Sequence, residues 1–366
     1  MSVDLAVVLG TRPEIIKLSP ILRMCHERDV SHRVIHTGQH YSESLDAVFF
    51  DSLELERPEY NLGVGSKSHG RQTGEMLIGL EEVLESISPD TVLVQGDTNS
   101  VLAGALAASK LDCHLGHVEA GLRSFDPDMP EESNRIITDH VSDHLFAPTD
   151  QSVTHLRNEG ISDQRIVLTG NTIVDAVEQH LDIATKTSSI LDELDLRGRD
   201  YFVLTAHRSK NVDDPSRLSG LLRGVAQAAR THRVPVIYPI HPRTARRMED
   251  FDLTMPAEIT TIDPLEYLDF LRLQSAADLI LTDSGGVQEE ACILQVPCVT
   301  IRETTERPET IAVGSNRLCS PAPTTICRAI DTMRSTSRAW DNPFGDGKAS
   351  QRILNTVLPK FEMVVA

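Results

Sequence analysis

The sequence lacks a long hydrophobic run. In 366 residues no stretch approaches the roughly 18 consecutive apolar residues that favour a membrane-spanning helix. The first residues, MSVDLAVVLGTRPE, also lack the positively charged segment and the cleavage site of a secretory signal. They are typical of a first buried strand, so we expect a cytoplasmic protein with no membrane partner.

Closely spaced cysteines are absent as well. The six cysteines stand at positions 25, 113, 292, 298, 319 and 327, and none forms a Cys-x-x-Cys pair. In a long cytoplasmic chain this scatter indicates free, mostly buried thiols. It favours neither a disulfide framework nor a cysteine metal site.

Positive charge is scarce. The 35 Lys and Arg residues face 54 Asp and Glu residues, which gives a formal net charge of −19. A nucleic-acid partner is not expected, because phosphate neutralisation needs a basic surface. The net charge does not exclude a small anionic ligand, since a few local Arg and Lys side chains are enough to bind it.

What the sequence does contain is a regular alternation of short apolar runs with amphipathic segments. Six strand-like runs fall in the first half, namely DLAVVLG, HRVIHTG, TVLVQGD, LGHVEAG, HLFAPT and RIVLTGN. Four more follow, namely YFVLTAH, PVIYPIH, ADLILTD and PCVTIR. The pattern predicts an α/β fold of two Rossmann-like, doubly wound domains facing across a cleft, over residues 1–175 and 176–345. Ligands of such sheets bind beyond the carboxyl ends of the strands.

The first three strand ends carry charged residues. GTRPEIIK places Arg12 and Lys17 beside a helix N-terminus with free backbone donors, which favours an anion site. An ordinary exposed arginine is an equally good interpretation of Arg12. Asp97 of QGDT follows an apolar run, where it could instead be a helix N-cap. Glu119 of HVEAG also ends an apolar run, where a charged group must be partnered or functional.

The histidines near Glu119 do not predict a metal site. His117-Val118-Glu119 is similar to the His-x-Glu of zinc deaminases, but these also need Pro-Cys-x-x-Cys, which the chain lacks. His114-x-x-His117 has no third ligand nearby.

Five carboxylates crowd the stretch from His117 to Arg135, HVEAGLRSFDPDMPEESNR. Asp126 and Asp128 are assigned to a solvated loop. Glu131 and Glu132 follow Pro130 at a predicted helix start, where negative charge is favourable. Arg135 lies one turn beyond Glu131, within salt-bridge reach.

The second half repeats the arrangement at its own strand ends. Ser284-Gly285-Gly286 runs from a strand into a helix, which suits a phosphate, and Glu290 lies one turn further, where it could bind a sugar diol. A capping motif with a solvated acid explains the same segment. His207 and His241 both follow apolar strands, so we expect them on neighbouring strand ends.

The motifs GTRPE, QGDT, HVEAGLR, PEESNR, TAHR, LTDSGGVQEEA and TTERPE, in this order, resemble the non-hydrolysing UDP-N-acetylglucosamine 2-epimerase family. The resemblance covers nearly the whole chain, including NPFGDGKAS. It implies a glycosyltransferase-B architecture, with residues 346–366 as a C-terminal helix returning to the first domain, and a homodimer. It also implies interconversion of UDP-GlcNAc and UDP-ManNAc by elimination and re-addition of UDP, through 2-acetamidoglucal and without a cofactor.

The resemblance further implies residue roles. The catalytic set is Asp97, Glu119, Glu131 and His207, and which acid removes the proton stays open. The substrate contacts are Arg12, Lys17, Phe270, Ser284, Gly285, Gly286, Glu290 and Arg307. Some bacterial members carry an allosteric substrate site, whose positions correspond to Gln39, His40, Arg71, Arg208 and His241. The segment SFDPDMPEE and the motif HRSKN depart from the bacterial pattern beside that site, so substrate activation is left open.

Three alternatives remain at this point. The chain could be a related epimerase for a more modified sugar nucleotide, such as a diacetamido-uronic acid derivative. It could be a glycosyltransferase of the same architecture, which would need an acceptor site. It could also be a non-catalytic UDP-sugar sensor, which would be expected to lose the acids that are present here.

Overall fold

The computed structural model describes residues 3–39 and 43–358. The chain forms two compact units, one of Met1–Glu178 with Phe344–Ala366 and the other of Gln179–Pro343. No helix in these two described ranges is long and apolar enough to cross a membrane.

Each unit is built on a wholly parallel sheet. The strands are β1 Val3–Leu9, β2 His32–His36, β3 Tyr60–Asn61, β4 Pro89–Gln95, β5 His114–Val118, β6 His144–Ala147, β7 Ile166–Leu168, β8 Phe202–Leu204, β9 Val236–Pro239, β10 Ile259–Ile262, β11 Leu279–Thr282, β12 Cys298–Thr300 and β13 Asn316–Leu318. The first sheet has the order β3-β2-β1-β4-β5-β6-β7 and the second the order β10-β9-β8-β11-β12-β13.

Helices connect these strands. They are α1 Arg12–Glu27, α2 Glu43–Ser52, α3 His69–Ile87, α4 Asn99–Ala108, α5 Pro130–Val141, α6 Asp150–Asn158, α7 Thr172–Thr187, α8 Ile190–Glu193, α9 Ser209–Val212, α10 Pro215–His232, α11 Pro242–Asp250, α12 Tyr267–Ser275, α13 Gly285–Ile293, α14 Pro308–Ala312, α15 Pro323–Arg334 and α16 Ala349–Val357, with a 3₁₀ turn at Asp163–Arg165. The two parallel sheets with crossover helices confirm the predicted α/β class.

Both faces of the second sheet are buried. Phe202, Leu204 and Tyr238 belong to one apolar cluster, whereas Tyr201 and Val203 belong to another. Alternate residues of one strand therefore pack on opposite faces. This explains why the strands read in sequence as continuous apolar runs, as parallel sheets covered by helices do.

The last described helix belongs to the first unit. α16 packs against α1, and Arg28 Nη1 donates to Asn355 Oδ1 at 2.9 Å. The Asp175 carboxylate accepts from the backbone N–H of Ser350 at 2.9 Å, so α7 also holds the start of α16.

Candidate functional site

Three neighbouring strands of the first sheet, β1, β4 and β5, end beside one another. Arg12 and Lys17 follow β1, Asp97 follows β4 and Glu119 follows β5. Parallel pairing places all three carboxyl ends at the same edge, so the sheet brings the sequence-predicted charges of this half together.

Glu119 is a buried carboxylate that binds Lys17, Asn171 and Gln95. Lys17 Nζ lies 2.6 Å from its Oε1 and 2.8 Å from its Oε2. Asn171 Nδ2 donates to Oε1 at 3.1 Å, and Gln95 Nε2 donates to Oε2. Glu119 has a positive φ of 70°, a conformation that non-glycine residues adopt rarely and that recurs at functional sites. The chain thus turns out of β5 at a carboxylate whose position is fixed by its hydrogen bonds.

Asp97 is held by an arginine. Arg135 of α5 donates to Asp97 Oδ2 from Nε at 3.0 Å and from Nη2 at 2.6 Å. The N-cap of α4 is Thr98, whose side chain accepts from Val101 N–H. The interpretation of Asp97 as an N-cap is therefore wrong, because the neighbouring threonine takes that position and leaves the aspartate for Arg135.

The two glutamates of PEESNR, Glu131 and Glu132, differ in burial and in their hydrogen bonds. Glu132 is buried and accepts from Ser124 N–H at 2.9 Å, Phe125 N–H at 3.0 Å and Arg135 Nη1 at 2.8 Å. Burial alone would raise the pKa of Glu132, but these hydrogen bonds lower it overall. Glu131 is half-buried in the first turn of α5. The expected Arg135–Glu131 pair is replaced by pairs with Asp97 and Glu132, because Arg135 turns toward the strand ends.

The segment before α5 is a surface loop. Asp126 and Asp128 are exposed, which confirms their assignment to a solvated loop. Phe125 is also exposed and has a φ of 58°; its ring meets His155 edge-on at 5.1 Å. Glu132 accepts from the N–H groups of Ser124 and Phe125 and so holds this loop. This role adds to the predicted interaction of its charge with the helix dipole.

Glu14 occupies the donors that were expected to be free at the start of α1. Its Oε2 accepts from Gly10 N–H at 2.5 Å and from Thr11 N–H at 3.1 Å, and its Oε1 accepts from Thr98 Oγ1 at 2.5 Å. Burial raises the pKa of Glu14 to about 7, against these hydrogen bonds. The prediction of free backbone donors here is corrected, because the third helical residue caps its own helix. Arg12 is exposed and lies over the Phe49 ring at 5.6 Å.

In the second unit, His207 and His241 lie where the sequence predicted, beyond the neighbouring strands β8 and β9, with ring centroids 5.8 Å apart. The fully buried Asp283 accepts from the backbone N–H groups of His207 at 3.1 Å and Arg208 at 3.0 Å. His207 Nδ1 lies 3.3 Å from Asp283 Oδ1. Burial lowers the pKa of His207, with Asp283 opposing the shift.

The Ser284-Gly285-Gly286 turn opens α13. Ser284 is the N-cap residue but makes no side-chain cap hydrogen bond. A Cβ atom at Gly286 would meet no heavy atom of the described residues within 4 Å. The backbone can therefore be approached closely at a helix N-terminus, which is the arrangement that anions prefer.

Glu290 and Phe270 lie on the helices that flank β11. Gln274 Nε2 donates to Glu290 Oε2 at 2.7 Å, and both side chains are buried. Burial raises the pKa of the neighbouring Tyr267 hydroxyl, and the charge of Glu290 adds to this rise. Phe270 is half-buried and packs on the apolar cluster around Tyr201.

Arg307 begins the turn before α14. Its Nε lies 2.6 Å from Glu289 Oε1, and Gln288 Oε1 accepts from Thr305 Oγ1 at 2.6 Å. The helix that carries the glycine turn thus also positions the TTERPE segment. Glu306 pairs with Arg302 through two hydrogen bonds of 2.7 and 2.8 Å, which lower the pKa of Glu306 to about 2.

The five positions suggested for an allosteric site are divided between the units. Gln39 accepts from Ser100 Oγ at 2.7 Å, and Arg71 is exposed and pairs with Glu75 at 2.9 Å. Arg208 lies 3.8 Å from Glu306, and His241 caps α11. His40 lies outside the described residues. Their regulatory role stays a prediction.

Four residues with clear tasks were not singled out from the sequence, namely Glu14, Arg135 as the partner of Asp97, Asp283 and Gln288. Each stands inside a motif that was noticed, and Glu14 at the third position of a helix is typical of a capping box. The partners of the other three are distant in sequence, so no local signal marks them.

A family model described as UDP-N-acetylglucosamine 2-epimerase matches residues 23–358. The chain belongs to this family. Membership confirms the resemblance that the ordered motifs carry.

Individual relatives match this chain over nearly their whole length. The UDP-N-acetylglucosamine 2-epimerase of Methanocaldococcus jannaschii is 51% identical over 362 residues, which cover 96% of this chain and 97% of the relative. The UDP-2,3-diacetamido-2,3-dideoxy-D-glucuronate 2-epimerase of Pseudomonas aeruginosa is 40% identical over 351 residues, which cover 94% and 97%.

A solved structure supports the same assignment. The crystal structure of Methanocaldococcus jannaschii UDP-GlcNAc 2-epimerase, in complex with UDP-GlcNAc and UDP, matches with a TM-score of 0.84 at 50% identity. The match covers 97% of this chain and 99% of that one. Likeness to this family of structures confirms the predicted glycosyltransferase-B class.

Proposed function

We propose that this protein is a UDP-N-acetylglucosamine 2-epimerase that interconverts UDP-GlcNAc and UDP-ManNAc. The observation that carries the proposal is the pair of carboxylates at neighbouring strand ends, Asp97 and Glu119, each held by its own cation, Arg135 or Lys17. Family membership supplies the substrate class. A relative of the same family at 51% identity carries the name of this activity.

The reaction proceeds by elimination and re-addition. A carboxylate removes the C2 proton, the C2 electron pair forms the C1–C2 double bond, and the C1–oxygen bond breaks with its electrons on UDP. The product of this half-reaction is 2-acetamidoglucal. UDP then attacks C1, and a proton reaches C2 from the opposite face, which inverts that centre. The protein must provide an acid and a base on opposite faces of C2, and positive or donor groups for the leaving diphosphate.

The first unit supplies the acid and base groups in this proposal. Both hydrogen bonds from Arg135 end on Asp97 Oδ2, so we assign proton transfer to Oδ1. Lys17 Nζ contacts both carboxylate oxygens of Glu119, which gives Glu119 a fixed place beside the sugar in this proposal. Lys17 was predicted as a phosphate contact, and its position on Glu119 favours a role at the sugar. Glu131 and Arg12 keep their predicted roles as a third acid and a nucleotide contact.

The second unit supplies nucleotide contacts. The donors at the start of α13, over Ser284, Gly285 and Gly286, suit the diphosphate. Glu290 binds the ribose hydroxyls and Phe270 lies against the uracil. His207, oriented by Asp283, lowers the barrier to UDP departure, and Arg307 contacts the substrate. A homodimer, the allosteric site and the division of roles between the domains are proposed from the family resemblance. A cytoplasmic location is also proposed.

A second candidate is epimerisation of UDP-2,3-diacetamido-2,3-dideoxy-D-glucuronate. The Pseudomonas aeruginosa relative named for that reaction is 40% identical to this chain. The higher identity of the relative named for UDP-GlcNAc favours the simpler substrate. Comparing kcat/KM for the two nucleotide sugars separates the candidates.

The test is conversion of UDP-GlcNAc followed by NMR with wild-type protein, Asp97→Asn and Asp128→Asn. We expect UDP-ManNAc from the wild type and from Asp128→Asn, a loop substitution. Asp97→Asn should lose at least about 100-fold in kcat while UDP binding persists by calorimetry. UDP binding without turnover by the wild type would indicate a sensor, and turnover only with a sugar acceptor would indicate a glycosyltransferase. Either result contradicts the proposal.

A further inference from the structure

His117 is a buried histidine whose two ring nitrogens both face acceptors. Nδ1 lies 2.6 Å from Asp139 Oδ1, and Nε2 lies 2.8 Å from the carbonyl oxygen of Gly96. The side chains of His117 and Asp139 are 1% and 0% exposed. A carbonyl oxygen has no hydrogen to give, so Nε2 must donate.

The partners of Asp139 require the other nitrogen to donate as well. Asp139 Oδ2 lies 2.7 Å from Arg123 Nη2 and accepts from Gly121 N–H at 3.2 Å. Burial alone would raise the pKa of Asp139, but the Arg123 guanidinium, whose charge does not depend on His117, lowers it. An ionised Asp139 has no hydrogen for His117, so Nδ1 donates to it and the ring is doubly protonated in this geometry.

The cluster is balanced in charge. Arg123 also binds Glu159 through two hydrogen bonds of 2.7 Å. Two cations, His117 and Arg123, thus meet two anions, Asp139 and Glu159. Buried charges need partners of this kind, which explains how an imidazolium ion can lie inside the unit.

The hydrogen bonds of this cluster end on the two turns that carry the proposed acids. Gly96, which has a φ of 88°, directly precedes Asp97. Gly121, which has a φ of 79°, follows Glu119 by two residues, and His117 precedes Glu119 by two. The His117–Asp139 pair therefore fixes the chain before Asp97 and on both sides of Glu119.

We propose that His117 and Asp139 are positioning residues for the reaction, because the doubly protonated His117 ring, held by Asp139, sets the relative position of Asp97 and Glu119. The inference rests on the proposed function. Neither residue contacts the sugar in this role. It gives His117, whose spacing did not predict a metal site, a task in the reaction.

The first test uses the wild-type protein and needs no substitution. Nitrogen-15 NMR of the histidine rings, assigned with a His117→Asn sample, is expected to show hydrogen on both ring nitrogens of His117 under the conditions of the activity assay. One ring nitrogen without hydrogen would overturn the inference, whether or not the protein is an epimerase.

The second test is Asp139→Asn, which keeps the shape of the side chain and removes its charge. We expect kcat to fall about 100-fold, since a displacement of about 1 Å can cost that much, while KM changes less than about threefold. The ring nitrogens of His117 are expected to show one nitrogen without hydrogen, a change that a merely structural defect would not produce.

The matched control is Asp331→Asn. It removes the partner of another histidine, since His232 Nε2 lies 2.8 Å from Asp331 Oδ1, but on α10 and α15 of the second unit. Its kcat should stay within about twofold of wild type. An active wild type with normal kcat in folded Asp139→Asn would overturn the inference and leave the proposed function intact. An inactive wild type would instead count against the proposed function.

Discussion

At the scale of single residues, Lys17 and Glu119 are separated by 102 positions in the chain, yet their charged groups are in direct contact. The side chains are 13% and 5% exposed, so water screens the pair little. Removing one partner of a buried pair leaves a charge without compensation, which typically costs more than removing both.

The double-mutant cycle of Lys17→Met and Glu119→Gln tests this pairing. Lys17→Met should lower the free energy of unfolding by about 3 kcal/mol, because it leaves the buried Glu119 carboxylate without the Lys17 cation. Adding Glu119→Gln to it should restore part of that loss. Urea unfolding of the four proteins gives the coupling energy, and additivity within about 0.5 kcal/mol would show that the two side chains do not interact.

Glu14 makes stability depend on pH. Its pKa rises from 4.5 to about 7 on folding, so the folded protein holds a proton that the unfolded chain releases between these values. A raised carboxyl pKa gives a contribution that is complete below pH 4.5 and is lost as pH rises to about 7. Between about pH 5 and pH 8, the free energy of unfolding of the wild type should fall by about 3 kcal/mol more than that of Glu14→Gln, at about 1.4 kcal/mol per pKa unit.

Urea unfolding of wild type and Glu14→Gln at the two pH values measures this difference. Glu81→Gln, at an exposed position of α3, is the control and should change it by less than about 0.5 kcal/mol. A difference between wild type and Glu14→Gln that is independent of pH would contradict the raised pKa.

Sequence reasoning located the charged residues at the strand ends but not their partners. A charged residue after an apolar run must be partnered, and this rule pointed to Glu119, which contacts Lys17. It could not show that Arg135 turns toward Asp97 instead of Glu131, since helix spacing allows the Glu131 pair equally well. The sequence analysis also predicted free backbone N–H groups at the start of α1. Glu14 accepts from the N–H groups of Gly10 and Thr11, because it forms a capping box that was not considered.

At the scale of elements, the apolar runs predicted ten strands and missed three, β3, β10 and β13. All three are edge strands, with the sequences YN, ITTI and NRL. An edge strand has a neighbour on one side only and is often short and partly exposed, so it shows no continuous apolar run. The interior strands show continuous apolar runs and could be recognised for that reason, and so could β7, an edge strand with the apolar sequence IVL.

The turn after β5 depends on glycine at position 121. A Cβ atom there would lie 2.5 Å from the backbone oxygen of Ser152, and φ is 79°. Gly160 has nearly the same φ of 81°, but no heavy atom of the described residues lies within 4 Å of its would-be Cβ. Alanine substitutions at Gly121 and Gly160 therefore distinguish the cost of backbone strain from the cost of steric crowding.

We expect Gly160→Ala to lower the free energy of unfolding by about 1 kcal/mol, from backbone strain alone. Gly121→Ala should cost about 3 kcal/mol, because overpacking against fixed backbone adds to the same strain. Urea unfolding measures both. Equal losses in the two variants would show that the contact with α6 does not constrain this turn.

At the scale of the whole molecule, the protein consists of two compact α/β units with different chemistry. The first holds carboxylates with dedicated cations, and the second holds a glycine turn at a helix N-terminus with a buried glutamate beside it. An enzyme that breaks a C–H bond and expels a nucleoside diphosphate needs both kinds of group. The type of each group could be predicted from the motifs, whereas the contacts that hold it depend on tertiary packing.

The most direct test of the central claim is incubation of the wild-type protein with UDP-GlcNAc in D2O, followed by NMR of the nucleotide sugars. Proton removal and return at C2 predicts UDP-ManNAc with deuterium at C2, and deuterium at C2 of the recovered UDP-GlcNAc at equilibrium. UDP-GlcNAc that keeps its C2 proton, with no UDP-ManNAc formed by folded protein, would contradict the account.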